Sequence, residues 1–176
     1  MKKISLLLVL APFAVSLTGC APAQFGETRI TDEQVIFNVA QQDTTKKQVY
    51  IYLGQPHDVD TLANGDTLWH YYLLADKIHP LTYVPYLGLL AGGSTMTLTE
   101  RIVQFEDNKV INIQKKCYKD YQNMWTHLSS MPDSLPKYDR VEKEMSDLKL
   151  PFDKERVKRF WNVDEIIKDS NIVDCQ

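Results

Sequence analysis

The chain lacks most of what would mark an enzyme, a transporter or a nucleic-acid binder. Among its 176 residues are three cysteines and seven glycines. Three cysteines are too few for a disulfide-stapled scaffold, and no C-x-x-C pair is present to suggest a thiol redox centre. Neither a glycine-rich phosphate loop nor a G-x-S-x-G elbow occurs, and no cofactor motif stands out. No unbroken run of about 20 apolar residues exists, which excludes a multi-span membrane protein. Basic residues are not in excess: 20 Lys and Arg face 23 Asp and Glu, a formal net charge of −3. Nucleic acid is therefore excluded as a partner on charge. With 44% hydrophobic and 24% charged residues, the composition is that of one globular domain, or one domain with an appendage.

What the chain does have begins at its start. Lys2 and Lys3 precede an apolar stretch from Ile4 to Val15, and small residues follow, the layout of a secretory signal. The stretch is too short for a spanning helix, and Pro12 would interrupt one. Leu17-Thr18-Gly19-Cys20 resembles the bacterial lipobox. That resemblance implies cleavage after residues 1–19, a diacylglyceryl group on the Cys20 thiol, and acylation of the new amine. Several acyl chains, at about 0.8 kcal/mol per buried methylene, make such an anchor essentially permanent. Under the sorting rule that accompanies the resemblance, Ala21 in place of aspartate implies the outer membrane, on its periplasmic side. The alternative is an ordinary signal peptide that leaves Cys20 a plain thiol.

Residues 20–30 read as a tether, with Pro22 and Gly26 and little to bury. Thr31-Asp32-Glu33-Gln34 has the pattern of a capping box, with Thr31 at the cap, and Val35, Ile36, Val39 and Ala40 follow on one helical face. A second box, Thr45-Lys46-Lys47-Gln48, opens a helix whose stripe is Val49, Tyr52 and Leu53 and which Gly54 and Pro56 terminate. The two predict an αα-hairpin. Strands are expected over His57–Leu62, over Thr67–Ala75 after an Asn64-Gly65 turn, over Thr97–Phe105, and over Val110–Lys115 after the Glu106–Lys109 turn. In Thr67–Ala75, Trp69, Tyr71 and Leu73 alternate with Leu68, His70 and Tyr72. The expected fold is α+β, an αα-hairpin packed on a small antiparallel sheet.

Thr45-x-x-x-Val49-x-x-x-Leu53-Gly54-x-Pro56 resembles the helix-end motif of the SmpA/OmlA (BamE) family of bacterial outer-membrane lipoproteins. Trp69-His70-Tyr71 is similar to that family's W-x-Y strand, and Phe105 through Val110 to its last hairpin. The likeness runs over roughly Thr31 to Gln114, in the family's order and behind a lipobox. It implies a BamE-like domain over residues 31–116. It also implies a non-catalytic role as a protein-binding accessory of envelope assembly, with components of the machinery that inserts β-barrel proteins as partners. Thr45, Val49, Leu53, Gly54, Pro56 and Trp69 make physical sense as fold residues without it: a helix end that needs positive φ, a proline stop and an apolar seam.

Two segments depart from the family's pattern. Residues 76–96 form an apolar insertion, uncharged from Ile78 onward, in which Tyr83, Tyr86, Leu87, Leu89 and Leu90 are candidates for a partner surface. An extended hairpin or loop folded over the protein's own sheet is the other reading. Residues 117–176 form a helical C-terminal extension. It has a capping box at Asp139-Arg140-Val141-Glu142, and a staple from Phe152 to Val157, the latter sharing a face with Phe160 and Trp161. Once Cys20 is acylated, Cys117 and Cys175 remain as a pair in an oxidising compartment, either disulfide-bonded or as two free thiols.

The best metal-like cluster is His57, Asp58 and Asp60 with His70 and His79, but zinc needs convergent ligands. His70 is expected to face solvent opposite Trp69, and no metal site or enzyme is expected. The functional expectation is a lipid-anchored, protein-binding outer-membrane lipoprotein. The alternative is a lipoprotein of a secretion, conjugation or cell-wall-associated complex on the same fold. A metal-dependent hydrolase using His57 and His70 ranks behind both.

Overall fold

The computed structural model describes residues 23–41, 43–79, 82, 92–123, 136–160 and 163–175. Over these residues the chain mixes helices with a six-stranded antiparallel sheet. In chain order come β1 (Ala23–Gly26), a 3-10 turn (Thr28–Thr31), α1 (Glu33–Val39), α2 (Lys46–Leu53), β2 (Asp58–Thr61) and β3 (Thr67–Ile78). Next come β4 (Gly93–Glu106), β5 (Lys109–Asn123), α3 (Pro136–Leu148), α4 (Lys154–Lys158), α5 (Val163–Asp169) and β6 (Asn171–Val173). The strand order is β1-β3-β4-β5-β6, and β2 shares with β1 the same edge of β3.

The sheet is larger than the small one expected. Strands β3, β4 and β5 run for 12, 14 and 15 residues. The expected insertion shrinks at both ends, because Asp76–Ile78 pairs with Ser94–Met96 as a continuation of the β3–β4 hairpin. The expected tether also gives way. Ala23–Gly26 is an edge strand on Leu73–Asp76, and Ile30 behind it is fully buried. An edge strand gains its place from ladder hydrogen bonds rather than from side-chain burial, so its composition carries no warning. Cys20 and the central part of the insertion, with Tyr83, Tyr86, Leu87, Leu89 and Leu90, lie outside the described residues.

Helix starts follow side-chain capping. Glu27 caps the 3-10 turn by accepting from the Arg29 N–H. Thr31 is therefore inside that turn, its hydroxyl on the Thr28 carbonyl, and the cap of α1 moves one residue to Asp32, which accepts from the N–H groups of Gln34 and Val35. At α2 the expected box is present, Thr45 and Gln48 satisfying each other's backbone N–H groups. The cap also touches the sheet: the Lys46 N–H donates to Asn108 O, and the Val110 N–H to Thr44 O. Asp107 and Asn108, both at positive φ, make the tight β4–β5 turn that offers these groups.

Both faces of the sheet carry a core. On the first, Val59, Trp69, Tyr71, Leu73, Val103 and Phe105 pack against Ile36 and Val39 of α1 and against Val49 and Leu53 of α2. Tyr138, Val141 and Met145 of α3 close the same core beside β2. The Trp69 and Phe105 rings meet with centroids 4.9 Å apart. Side chains of this size each contribute roughly 2–3 kcal/mol by burial, which is what holds helices too short to persist alone. On the second face, Tyr72, Met96, Leu98 and Tyr118 pack under Phe160, Val163 and Ile166.

The C-terminal extension thus passes around the β1–β2 edge from one face to the other. Helix α3 begins with Pro136 rather than at Asp139, a fitting first residue because proline's missing N–H is an orphan there anyway. Asp153 caps α4. Val157 then enters the first core and Phe160 the second, so the two do not share one face: α4 ends at Lys158 and the chain turns between them. Phe160 fills the notch where β1 stops and β2 has yet to start. Gly26 lines it at φ +111°, and a Cβ there would lie 2.3 Å from Tyr72 O and 2.6 Å from Phe160 Cζ. Beyond α5, β6 pairs with Cys117–Lys119 on the opposite edge of the sheet. There Cys117 and Cys175 form a disulfide, with Cα atoms 5.4 Å apart. The bond ties the end of the extension to β5.

Candidate functional site

The end of α2 is where the extension docks. Gly54 adopts φ +75°, and its carbonyl accepts from the Tyr71 hydroxyl at 3.0 Å. Arg156 of α4 donates to the carbonyls of Gln55 (2.6 Å) and Leu53 (3.1 Å), completing the helix end from outside. The Gln55 side chain exchanges two hydrogen bonds with the backbone of Asp153. Glu27, nearly buried, receives Arg29 and Arg156, each at 2.7 Å. Burial alone would raise its carboxyl, but the two guanidinium groups outweigh that and hold it below the ordinary glutamate range. Val49, Leu53, Pro56 and Trp69 are buried around this hub. The Trp69 indole N–H donates to Glu144, which also pairs with Lys46. These motif residues build the fold.

A second polar array crosses the sheet on its other face, with one residue from each of four strands. Asp60 of β2 lies 3.4 Å from His70 Nε2, Glu100 of β4 lies 2.8 Å from His70 Nδ1, and Tyr118 of β5 donates its hydroxyl to Glu100 at 2.9 Å. The solvent-facing placement expected for His70 is overturned: it is 9% exposed, lodged between Asp60 and Glu100 on a face that is covered in part. Burial pushes the imidazole down, yet contact with Asp60 and Glu100 more than compensates and raises its pKa to about 9. Glu100, which burial alone would raise, is lowered by His70 and Tyr118. An imidazole that stays protonated at neutral pH cannot serve as a general base. Its contacts with Asp60 and Glu100 link β2, β3 and β4. Next to it, Asp58 receives Arg140 of α3 through both carboxylate oxygens, at 2.8 and 2.9 Å.

His57 behaves in the opposite way. Its Nδ1 accepts the Tyr72 N–H at 3.0 Å, which places the ring proton on Nε2. Its ring packs edge-on to Phe160 at 4.5 Å. Burial, then the positive charges of Arg156, Arg159 and Lys137, lower its pKa well below the ordinary histidine value. His79 stands just past the end of β3, about 30 Å from His70 along the strand, with Nε2 at 3.0 Å from the Thr95 hydroxyl. The structure therefore brings Asp58, Asp60, His57 and His70 into one neighbourhood but leaves His79 far off. Among the described residues no group of three or more His, Cys, Asp or Glu side chains is arranged to hold a metal ion.

Beside the His70 array the second face lies open. Leu62, Leu68, Ile102, Gln104, Asn112, Gln114 and Lys116 line a shallow groove of about 180 Å³. Leu62, Leu68 and Ile102 give it apolar lining, Gln104, Asn112 and Gln114 side-chain amides, and Lys116 a cation. Neither groove nor array is among the sequence expectations. The signal that points to them is the presence of apolar residues on both alternating sets of β3, Trp69-Tyr71-Leu73 and Leu68-Tyr72-Leu74, which a sheet with one wet face does not need. Comparison of the chain with protein-family models, with curated proteins and with solved structures finds no match.

Proposed function

We propose that the chain is a non-catalytic outer-membrane lipoprotein, anchored through acylated Cys20, whose helix-and-sheet domain binds another envelope protein. The observation that carries the choice of binding over hydrolysis is the state of the two histidines a hydrolase would use. His57 is buried and accepts a backbone N–H, while His70 is buried between the carboxylates of Asp60 and Glu100. The address rests on Lys2-Lys3, the apolar stretch and Leu17–Cys20. The Cys117–Cys175 disulfide supports it, since such bonds persist in oxidising compartments. Among the described residues no helix is long and apolar enough to cross a membrane.

By the resemblance of Thr45–Pro56 and Trp69–Tyr71, the finer reading is a BamE-like domain whose partner belongs to the barrel-insertion machinery. A component of a secretion, conjugation or cell-wall-associated complex is the second reading. It is favoured by the extended β3–β4 hairpin and by β6 at the end of the C-terminal extension, which depart from the family's pattern and reshape the surfaces a partner would meet. Co-purification from detergent-solubilised envelopes separates the two. Recovery with barrel-insertion components supports the first reading, and recovery with other assemblies and none of those components supports the second. A stoichiometric metal in the purified protein together with hydrolytic activity would overturn both.

A further inference from the structure

The outer edge of β5 divides into three parts. At its start, Thr44 and Thr45 occupy Val110 and Lys109. At the far end β6 covers Cys117–Lys119. Between them, no described strand pairs with Ile111–Lys116, a stretch about 20 Å long. Ile111 is 49% exposed, and Asn112, Gln114 and Lys116 are exposed as well. An unpaired edge of this length presents backbone donors and acceptors in the spacing a strand requires.

We propose that this edge receives an extended acidic segment of the partner protein as an added strand. The proposal rests on the protein-binding function argued above and assigns it a surface. Three observations select this occupant. The chain itself already adds a strand to the same edge, since β6 pairs antiparallel with the next three residues of β5. The groove lies directly beside the free stretch, with Asn112, Gln114 and Lys116 contributed by it. A strand added there sends alternate side chains over that groove, so backbone bonds supply affinity and the groove supplies selection. Finally, Lys115 makes no salt bridge among the described residues, and the exposed Lys116, which lies opposite Glu100 in register and helps to lower its carboxyl, forms no close ion pair either. As successive residues of a strand they face opposite sides of the sheet. The complementary segment therefore carries carboxylates at positions of opposite parity, one for each face. The same two lysines disfavour pairing of this edge with a second copy of itself, which would bring four cations together.

The test uses the full-length protein in its native envelope, with the photoreactive residue benzoylphenylalanine placed at Asn112 or Gln114 on the edge. Phe37 and Ile51, exposed on the outer sides of α1 and α2, serve as comparison positions. The proposal expects edge crosslinks to a partner segment that mass spectrometry maps to an extended, acidic stretch. It also expects the double variant Lys115→Glu, Lys116→Glu to reduce the yield roughly tenfold or more, with circular dichroism and the disulfide unchanged. Crosslinks confined to Phe37 or Ile51 overturn the edge and leave the protein-binding reading standing. Edge crosslinks to a second copy of this chain, or to a basic or helical segment, overturn the choice of occupant. No crosslink at any of the four positions overturns the edge and counts against the protein-binding reading as well. Should the charge-reversed variant fold poorly, Lys115→Gln, Lys116→Gln replaces it, and an unchanged yield there also overturns the proposal.

Discussion

Replacing Phe160 by alanine tests most sharply whether the C-terminal extension is part of the fold or an arm laid upon it. The ring is 2% exposed and stands between the His57 ring at 4.5 Å and the Tyr72 ring at 5.4 Å. Gly26 lines the floor of the notch and has no side chain that could move in, so the cavity left behind collapses poorly. Large-to-small changes at such sites cost about 3–5 kcal/mol, a large fraction of the roughly 5–15 kcal/mol that holds an ordinary domain. A second signal accompanies the first. Burial is the leading cause of the depressed His57 pKa, so opening the notch to water lets that pKa climb back toward the ordinary histidine value. Urea unfolding measures the first effect, and titration of the His57 ring signals by NMR measures the second. A loss below about 1 kcal/mol, well short of the cavity cost, with an unmoved His57 would refute the placement of Phe160 as the plug between the two faces.

Further outcomes follow from the same geometry. Cys175→Ser removes a cross-link between residues 58 apart in sequence, worth roughly 4 kcal/mol in the chain-entropy model; the melting temperature falls in oxidised samples and matches that of the parent under reductant. His70, with its pKa raised to about 9, contributes stability that is complete below pH about 6.5 and is lost as pH rises through 9, on the order of 3 kcal/mol in total. Denaturant midpoints of His70→Gln should therefore lack the parent's decline across that window, and a parallel decline in both would contradict the assignment. Gly54→Ala forces a side chain to φ +75°, with its Cβ 3.1 Å from the Arg29 guanidinium, and costs about 1–2 kcal/mol. Thermal denaturation reads that loss directly, and a neutral result would mean the helix end can relax.

Much of the frame is legible in the amino-acid sequence, and the reasons differ by element. The Thr45–Gln48 box and the Gly54-Gln55-Pro56 stop announce α2 because capping and positive φ are local chemistry. The β2–β3 and β4–β5 turns are equally local. Strand ends are not legible. Nothing in Asp76–Ile78 or Ser94–Met96 differs from loop composition, and only their mutual pairing makes them sheet. Ala23–Gly26 reads as a tether for the same reason. The His70 array escapes a linear reading because its members come from four strands far apart in sequence, and a partner such as Glu100 can be assigned only once the register is known. Phe160 and Val157 look like one helical face, whereas the end of α4 sends them to opposite sides of the sheet.

Intact-mass analysis of the protein isolated from native envelopes, with sequencing of its amino terminus, tests the lipoprotein assignment most directly. The account predicts a chain that starts at Cys20 and carries thioether-linked diacylglycerol together with an amide-linked acyl group. An unmodified amino terminus downstream of Cys20, or a Cys20 whose thiol remains free, would contradict it.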